Sequence, residues 1–208
     1  MATLIGDVVD SRVAGDRAEL HGRLGKAVEA ANQELSPLTP LRITVGDEFQ
    51  GAFATVGAAI HAALWLRVEM LPDADLRHGI GWGGVGVLED EPRVEDGPGW
   101  WAARTAIDEV KEMGERAGLR RVRTRYDRAD DRSGPDPDAI NAALMCRDQL
   151  LGVGDPRTVR LLRGMLAGRS QRELAAEEGI SPSAVSQRAR NDGLVVLLAA
   201  DALLQEVA

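Results

Sequence analysis

Two short acidic segments carry the clearest chemistry in this chain. Leu4-Ile5-Gly6-Asp7-Val8-Val9-Asp10-Ser11-Arg12 runs out of an apolar stretch into a polar turn, and Ile43-Thr44-Val45-Gly46-Asp47-Glu48-Phe49-Gln50-Gly51 passes through a Gly-Asp turn. Carboxylates at the ends of neighbouring strands suit Mg²⁺, a hard cation that takes oxygen ligands and commonly holds substrate phosphates. Asp7, Asp47 and the backbone carbonyl of Val8 are the candidate ligands, with Asp10 and Glu48 as further carboxylates. The same residues have a structural use, because Asp in a Gly-Asp turn caps the backbone and tolerates unusual angles.

A second constellation spans residues 169–191. Ser170-Gln171-Arg172-Glu173 has the spacing of a capping box, so a helix is predicted to begin there. Gly179 is placed to end it, and Ser181-Pro182 to cap and open a second helix anchored by Val185. Length, turn and caps together predict a helix-turn-helix. Its second helix presents Ser183, Ala184, Ser186, Gln187, Arg188 and Arg190, types that reach base edges and phosphates, with Ser170, Gln171 and Ser181 at the helix starts. Residues 157–190 hold seven Arg against three Glu inside a chain whose net charge is −8. The overall charge argues against indiscriminate nucleic-acid binding, whereas the basic island fits a local DNA footprint. A helical hairpin used only for assembly accounts for the same pattern. Residues 194–204 are almost wholly apolar, which suits a dimer helix or closure of a small domain, and a homodimer would suit paired DNA half-sites.

The elements that must position these groups follow from periodicity. Residues 2–9 form a buried strand, and 16–35 a helix with Leu20, Leu24, Ala27, Val28 and Ala31 on one face. Strands at 41–45 and 49–53, a helix at 56–70, a Gly-rich strand at 76–87, a helix at 99–116 and a strand at 119–126 complete the order β-α-β-β-α-β-α-β. That order predicts an α+β fold, a ferredoxin-like antiparallel sandwich with helices on one face, followed by a small all-α helix-turn-helix domain. Residues 127–138, rich in Asp, Arg, Gly and Pro, read as the linker, so the domains are expected at 1–130 and 131–208. Gly79, Gly81, Gly83 and Gly84 leave room for a ligand or a bulge. Trp82, Trp100 and Trp101 either stack on a base or fill the core. Arg121, Arg123 and Arg125 make a phosphate track or a solvated edge strand. With 208 residues, 44% of them apolar, the chain affords a core; it has no 18-residue apolar run and no basic leader, so a cytoplasmic location is expected. The single cysteine, Cys146, is expected to be a buried structural thiol.

Four segments carry a resemblance. Ile5-Gly6-Asp7-Val8-Val9-Asp10 and Val45-Gly46-Asp47-Glu48-Phe49 resemble the two metal-aspartate segments of class III nucleotide cyclases and of diguanylate-cyclase palms. Arg77-His78-Gly79-Ile80-Gly81-Trp82-Gly83-Gly84-Val85 and Gly97-Pro98-Gly99-Trp100-Trp101-Ala102-Ala103-Arg104 resemble their later strand and following helix. Over nearly the full length the chain is similar to the SatD family, through Gly6-Asp7-Val8-Val9-Asp10-Ser11-Arg12, Gly46-Asp47-Glu48-Phe49-Gln50-Gly51 and Asp96-Gly97-Pro98. The resemblance implies a nucleotide-cyclase-like domain with Mg²⁺ and a nucleotide ligand, held by Asp10, Ser11, Arg12, Glu48, Trp100 and Arg104. Trp100 stands where cyclases place the Asn that orients the ribose, and no clear Lys and Asp pair for purine recognition is present. Arg104 also has a helix partner in Asp108 at i+4. The sequence reading is therefore a DNA-binding regulator with a catalytically degenerate nucleotide sensor. Its alternatives are an active divergent cyclase or nucleotidyltransferase, and a DNA-binding protein whose sandwich only dimerises.

Overall fold

The computed structural model describes residues 1–11, 17–91, 93–152 and 155–208. Among these, the sandwich is built from β1 (Ala2–Val8), α1 (Arg17–Leu35), β2 (Thr39–Ile43), β3 (Phe49–Phe53), α2 (Val56–Met70), β4 (Leu76–Trp82), β5 (Gly86–Asp90), β6 (Arg93–Asp96), α3 (Pro98–Gly114) and β7 (Thr124–Arg128). Five helices follow: α4 (Pro137–Leu151), α5 (Pro156–Leu166), α6 (Gln171–Glu178), α7 (Pro182–Asn191) and α8 (Leu194–Gln205). None is long and apolar enough to cross a membrane.

The main sheet has the order β2-β3-β1-β4-β7, with β1 at its centre and antiparallel to both neighbours. Every residue of β1 is buried, which is why, apart from Thr3 and Asp7, that segment is apolar throughout. The first four strands of the sheet, with α1 and α2, have the ferredoxin-like connectivity that the element order predicts. Two expectations fail. The sheet is mixed, because β7 lies parallel to β4, a pairing that needs a long crossover, and α3 supplies it. Helices also cover both faces. Side chains alternate across a strand, so Leu4 and Val8 enter a core with α1 and α2 while Ile5 meets Trp100, Ala103 and Ile107 of α3 on the other side.

The glycines of β4 explain how α3 comes so close. A Cβ on Gly79 would lie 2.2 Å from the Ala103 carbonyl oxygen, and one on Gly81 would lie 2.1 Å from that of Gly99. The space that these glycines leave holds a helix, not a ligand or a bulge. The glycine-rich strand stops at Trp82, short of the expected end at 87, and β5 and β6 form a separate exposed ribbon. Thr39 Oγ1 donates to Glu95 (2.8 Å) and Arg42 to the Arg93 carbonyl (2.8 Å), fastening that ribbon to β2.

β7 starts at Thr124, not near 119, and of the three arginines expected to make a phosphate track two are already paired with carboxylates. Arg123 is paired with Asp75 and Arg125 with Glu109. On the outer edge of β7, α4 takes the place of a further strand. Asn141 accepts from the Tyr126 N–H (2.9 Å) and donates to its carbonyl (2.8 Å), while Asp148 accepts from the N–H groups of Arg123 and Thr124 (both 2.7 Å). Cys146, on the same helix, is exposed, against the expectation of a buried thiol. α2 belongs to two cores: one shared with the sheet, α4 and the end of α8, and one with α5, α6, α7 and the start of α8.

Candidate functional site

The acidic segments do converge. Gly46, at φ 65°, allows the β2–β3 turn to reverse, and Asp47 Oδ2 accepts the N–H of Val8 at 3.2 Å. The second segment is thereby tied to the peptide that follows Asp7. Asp7 itself is neutralised by side chains. Its register partner Arg77 donates from Nε at 2.8 Å and Nη2 at 3.3 Å, and Lys111 of α3 brings its Nζ to 3.3 Å. Glu48 makes a two-pronged pair with Arg104, both bonds 2.7 Å. Those bonds hold the Glu48 carboxyl below its ordinary range and raise the guanidinium further. Arg104 thus faces Glu48 and not Asp108, a partner fifty-six positions away that helix spacing does not reveal.

These residues do not fit a Mg²⁺ ion shared by Asp7 and Asp47. Both oxygens of Asp7 have cationic partners that an ion would have to displace. Asp47, the second expected ligand, is engaged through Oδ2 by the Val8 N–H. No group of three or more His, Cys, Asp or Glu able to hold a metal occurs among the described residues.

The expected nucleotide contacts divide. Trp100 is 7% exposed and packs with Ile5, Ala52, Ala103 and Ile107, so neither ring face is open to a ligand. Its neighbour Trp101 is the exposed indole, donating to Asp96 at 2.8 Å. The helical period made this legible, since Trp100, Ala103 and Ile107 fall on one face. Asp10 is exposed in a turn at φ 54°. Ser11 and Asp47 line a cavity of about 420 Å³ with Leu20, His21, Leu24 and Gly46. Arg12 lies outside the described residues.

In the C-terminal helices the caps form as their spacing predicts. Ser170 and Glu173 make a reciprocal capping box on α6, Gly179 ends it in the left-handed region at φ 64°, and Ser181 Oγ accepts from the Ala184 N–H to open α7. Leu174, Ala175, Val185 and Ala189 point inward. Ser170 and Ser181 are therefore engaged as caps. Gln171, Ser183, Gln187 and Arg190 are exposed, Ala184 and Ser186 half-buried. Arg190 donates to Ser186 Oγ at 2.8 Å. Arg188 turns aside, held by Asp155 and by Thr158 Oγ1. One feature had no signal in local spacing. Ala184, Gln187 and Asn191 form a wall of a cleft of about 780 Å³ whose other side includes Gln149, Leu150 and Arg121.

The family model of the SatD family matches residues 1–206. Among solved structures, the chain is similar to the catalytic core of a rhodopsin-guanylyl cyclase with converted specificity in complex with ATPalphaS. That similarity has 19% identity, 51% coverage of this chain, 70% of that one and a TM-score of 0.40. Among curated proteins none matches.

Proposed function

The chain belongs to the SatD family over residues 1–206, so one reading must serve both the sandwich and the C-terminal helices, and we propose that it is a DNA-binding regulator that reads a duplex with α7. The observation that carries this reading is the α6–α7 pair. Both helices are capped, their apolar residues are buried against α5, and α7 turns Ser183, Gln187 and Arg190 outward. A short helix with fixed ends and a polar outer face suits entry into a major groove. Selection from a random duplex pool, followed by titration of the selected sequence, tests it. Gln187→Ala should cost about 1–3 kcal/mol of binding if the amide reads a base. Unchanged affinity in a Gln187→Ala, Arg190→Ala double variant would remove the assignment to α7.

A second reading concerns the sandwich, and the cavity beside Asp47 favours it. Its volume of about 420 Å³ suits a small ligand, and a nucleotide is the class we propose. Because Arg17 and His21 line this cavity beside Asp47, binding is expected without added Mg²⁺. Thermal unfolding with a nucleotide panel, with and without Mg²⁺, checks this. A ligand at ~100 times its Kd should add about 2.7 kcal/mol. A shift that appears only with Mg²⁺ would contradict the charge assignment, and no shift at saturating concentrations would leave the sandwich as a scaffold.

A further inference from the structure

The outer face of α7 does not stand alone. Across the cleft from Ala184, Gln187 and Asn191 stands Arg121, from the turn between α3 and β7, beside the end of α4. The cleft is lined by two arginines and two aspartates. Arg188 is committed to Asp155 and Thr158, and Asp192 accepts from Thr158 Oγ1 at 2.6 Å. Arg121 has no carboxylate partner among the described residues. Its guanidinium lies beside Gly152, where even a Cβ would stand 3.5 Å from Nη1. Gln149, Gln187 and Asn191 add amide donors to the same space.

A duplex that takes α7 into its major groove carries a phosphate strand along each rim of that groove. A rim on the side facing α4 would run along this cleft, which α7 and the end of α4 both line. Phosphates need positive charge that is not already neutralised, and of the two arginines in the cleft only Arg121 offers it. On the reader's own side Arg190 is likewise without a carboxylate partner among the described residues. From this arrangement we infer that Arg121 is a phosphate contact, so that the sandwich and α7 grip one DNA strand between them. The inference rests on the DNA-binding reading and extends its footprint to the α3–β7 turn. The sequence offers Arg121 only as one of a strand track with Arg123 and Arg125; its place in one cleft with α7, more than sixty positions away, is not legible there. It gives the sandwich a direct part in binding, because anything that moves this turn relative to α7 changes the width of the cleft.

The test is a fluorescence-anisotropy titration of the full chain on a labelled mixed-sequence duplex about three helical turns long, repeated over a series of KCl concentrations. Arg121→Ala should weaken binding about tenfold near 0.1 M salt and make the slope of log K against log salt shallower by about 0.9, the loss of one phosphate contact. Arg121→Gln should behave alike, Arg116→Ala in the same turn should not, and Gln187→Ala should leave the slope unchanged. Equal melting temperatures for Arg121→Ala and the parent protein tie the loss to contact, not folding. A parent slope retained in Arg121→Ala while Gln187→Ala weakens binding overturns this inference alone. Absence of duplex binding by the parent chain overturns it together with the reading it rests on. A single strand that competes as well as the duplex overturns the duplex geometry.

Discussion

Arg77, Lys111 and Arg104 decide what the acidic residues of this chain can do. Asp7 and Asp47 were legible because each sits in a distinctive short segment at a strand end. The cationic partners of Asp7 were not, because Arg77 reaches it only through the β1–β4 register and Lys111 only through α3. The Glu48–Arg104 pair is partly exposed, 25% and 42%, so Glu48→Gln should cost no more than about 1 kcal/mol at neutral pH. The bonds from Arg104 depress the folded Glu48 carboxyl below 4.5. That contribution is therefore full above 4.5 and lost as pH falls through the folded value, and urea melts of the variant should converge on the parent at low pH. His78 acts more strongly. It is fully buried, neither ring nitrogen has a hydrogen-bond partner among the described residues, and burial, aided by Arg67 and Arg147, pushes its pKa down to about 3. Below 6.5 the unfolded chain takes up a proton that the folded chain refuses. Stability should fall by about 1.4 kcal/mol per pH unit from 6.5 toward 3 on this account, and be flat above 6.5. His78→Leu should remove that component of the acid slope in denaturant titrations, and an unchanged slope would show that His78 is not its source.

At the scale of elements, apolar periodicity located most helices and strands but not the side on which α3 packs. Gly79 and Gly81 on one face of a strand signal close approach by something, and the sequence signal is the same for a ligand and for a helix. The parallel placement of β7 was hidden for a related reason. Its edge is satisfied by Asn141 and Asp148 of α4, side chains seven positions apart on a helix whose period says nothing of strand pairing. Gly81→Ala tests the packing. Its Cβ would meet the Gly99 carbonyl oxygen at 2.1 Å and the Ala103 nitrogen at 2.4 Å, both backbone atoms that cannot rotate away. A loss of about 3 kcal/mol is expected, at the upper end of overpacking costs. Gly22→Ala, where nothing lies within 4 Å of the new methyl, should lose none of its melting temperature. Equal melting of both variants would mean that α3 is not seated through these glycines.

At the scale of the whole molecule, buried charge and an apolar helix join the C-terminal helices to the sandwich. Asp148 binds Arg67 (3.1 Å) and the N–H groups of Arg123 and Thr124, and Arg147 reaches Asp201 of α8 (3.5 Å), which also pairs with His61 of α2 (2.6 Å). Asp201, the one charged residue of α8, is thus turned inward, together with Leu194, Leu197 and Leu204. The apolar run that was open to two readings does close the core, and it has residues left over. Val195, Val196 and Leu203 are 49%, 60% and 76% exposed. With Ala199 and Ala202 they make a charge-free stripe whose spacing is symmetric about Ala199. Antiparallel pairing with a second copy would set Val195 against Leu203, Val196 against Ala202, and Ala199 against itself, the self-complementarity that a two-fold interface requires. One helix face of this length is smaller than the ~800 Å² per partner of a standard interface, so we expect a dimer that dissociates in the micromolar range, not an obligate one. Sedimentation equilibrium over a concentration series should show it. Val196→Glu with Leu203→Glu should yield monomer at every concentration with the melting temperature of dilute parent protein. If dimerisation also presents two α7 helices to paired half-sites, the same double variant should lose the steepness of DNA titrations but keep binding to a single half-site. A parent chain that stays monomeric throughout, or a variant that still dimerises, would assign the α8 stripe to some other partner.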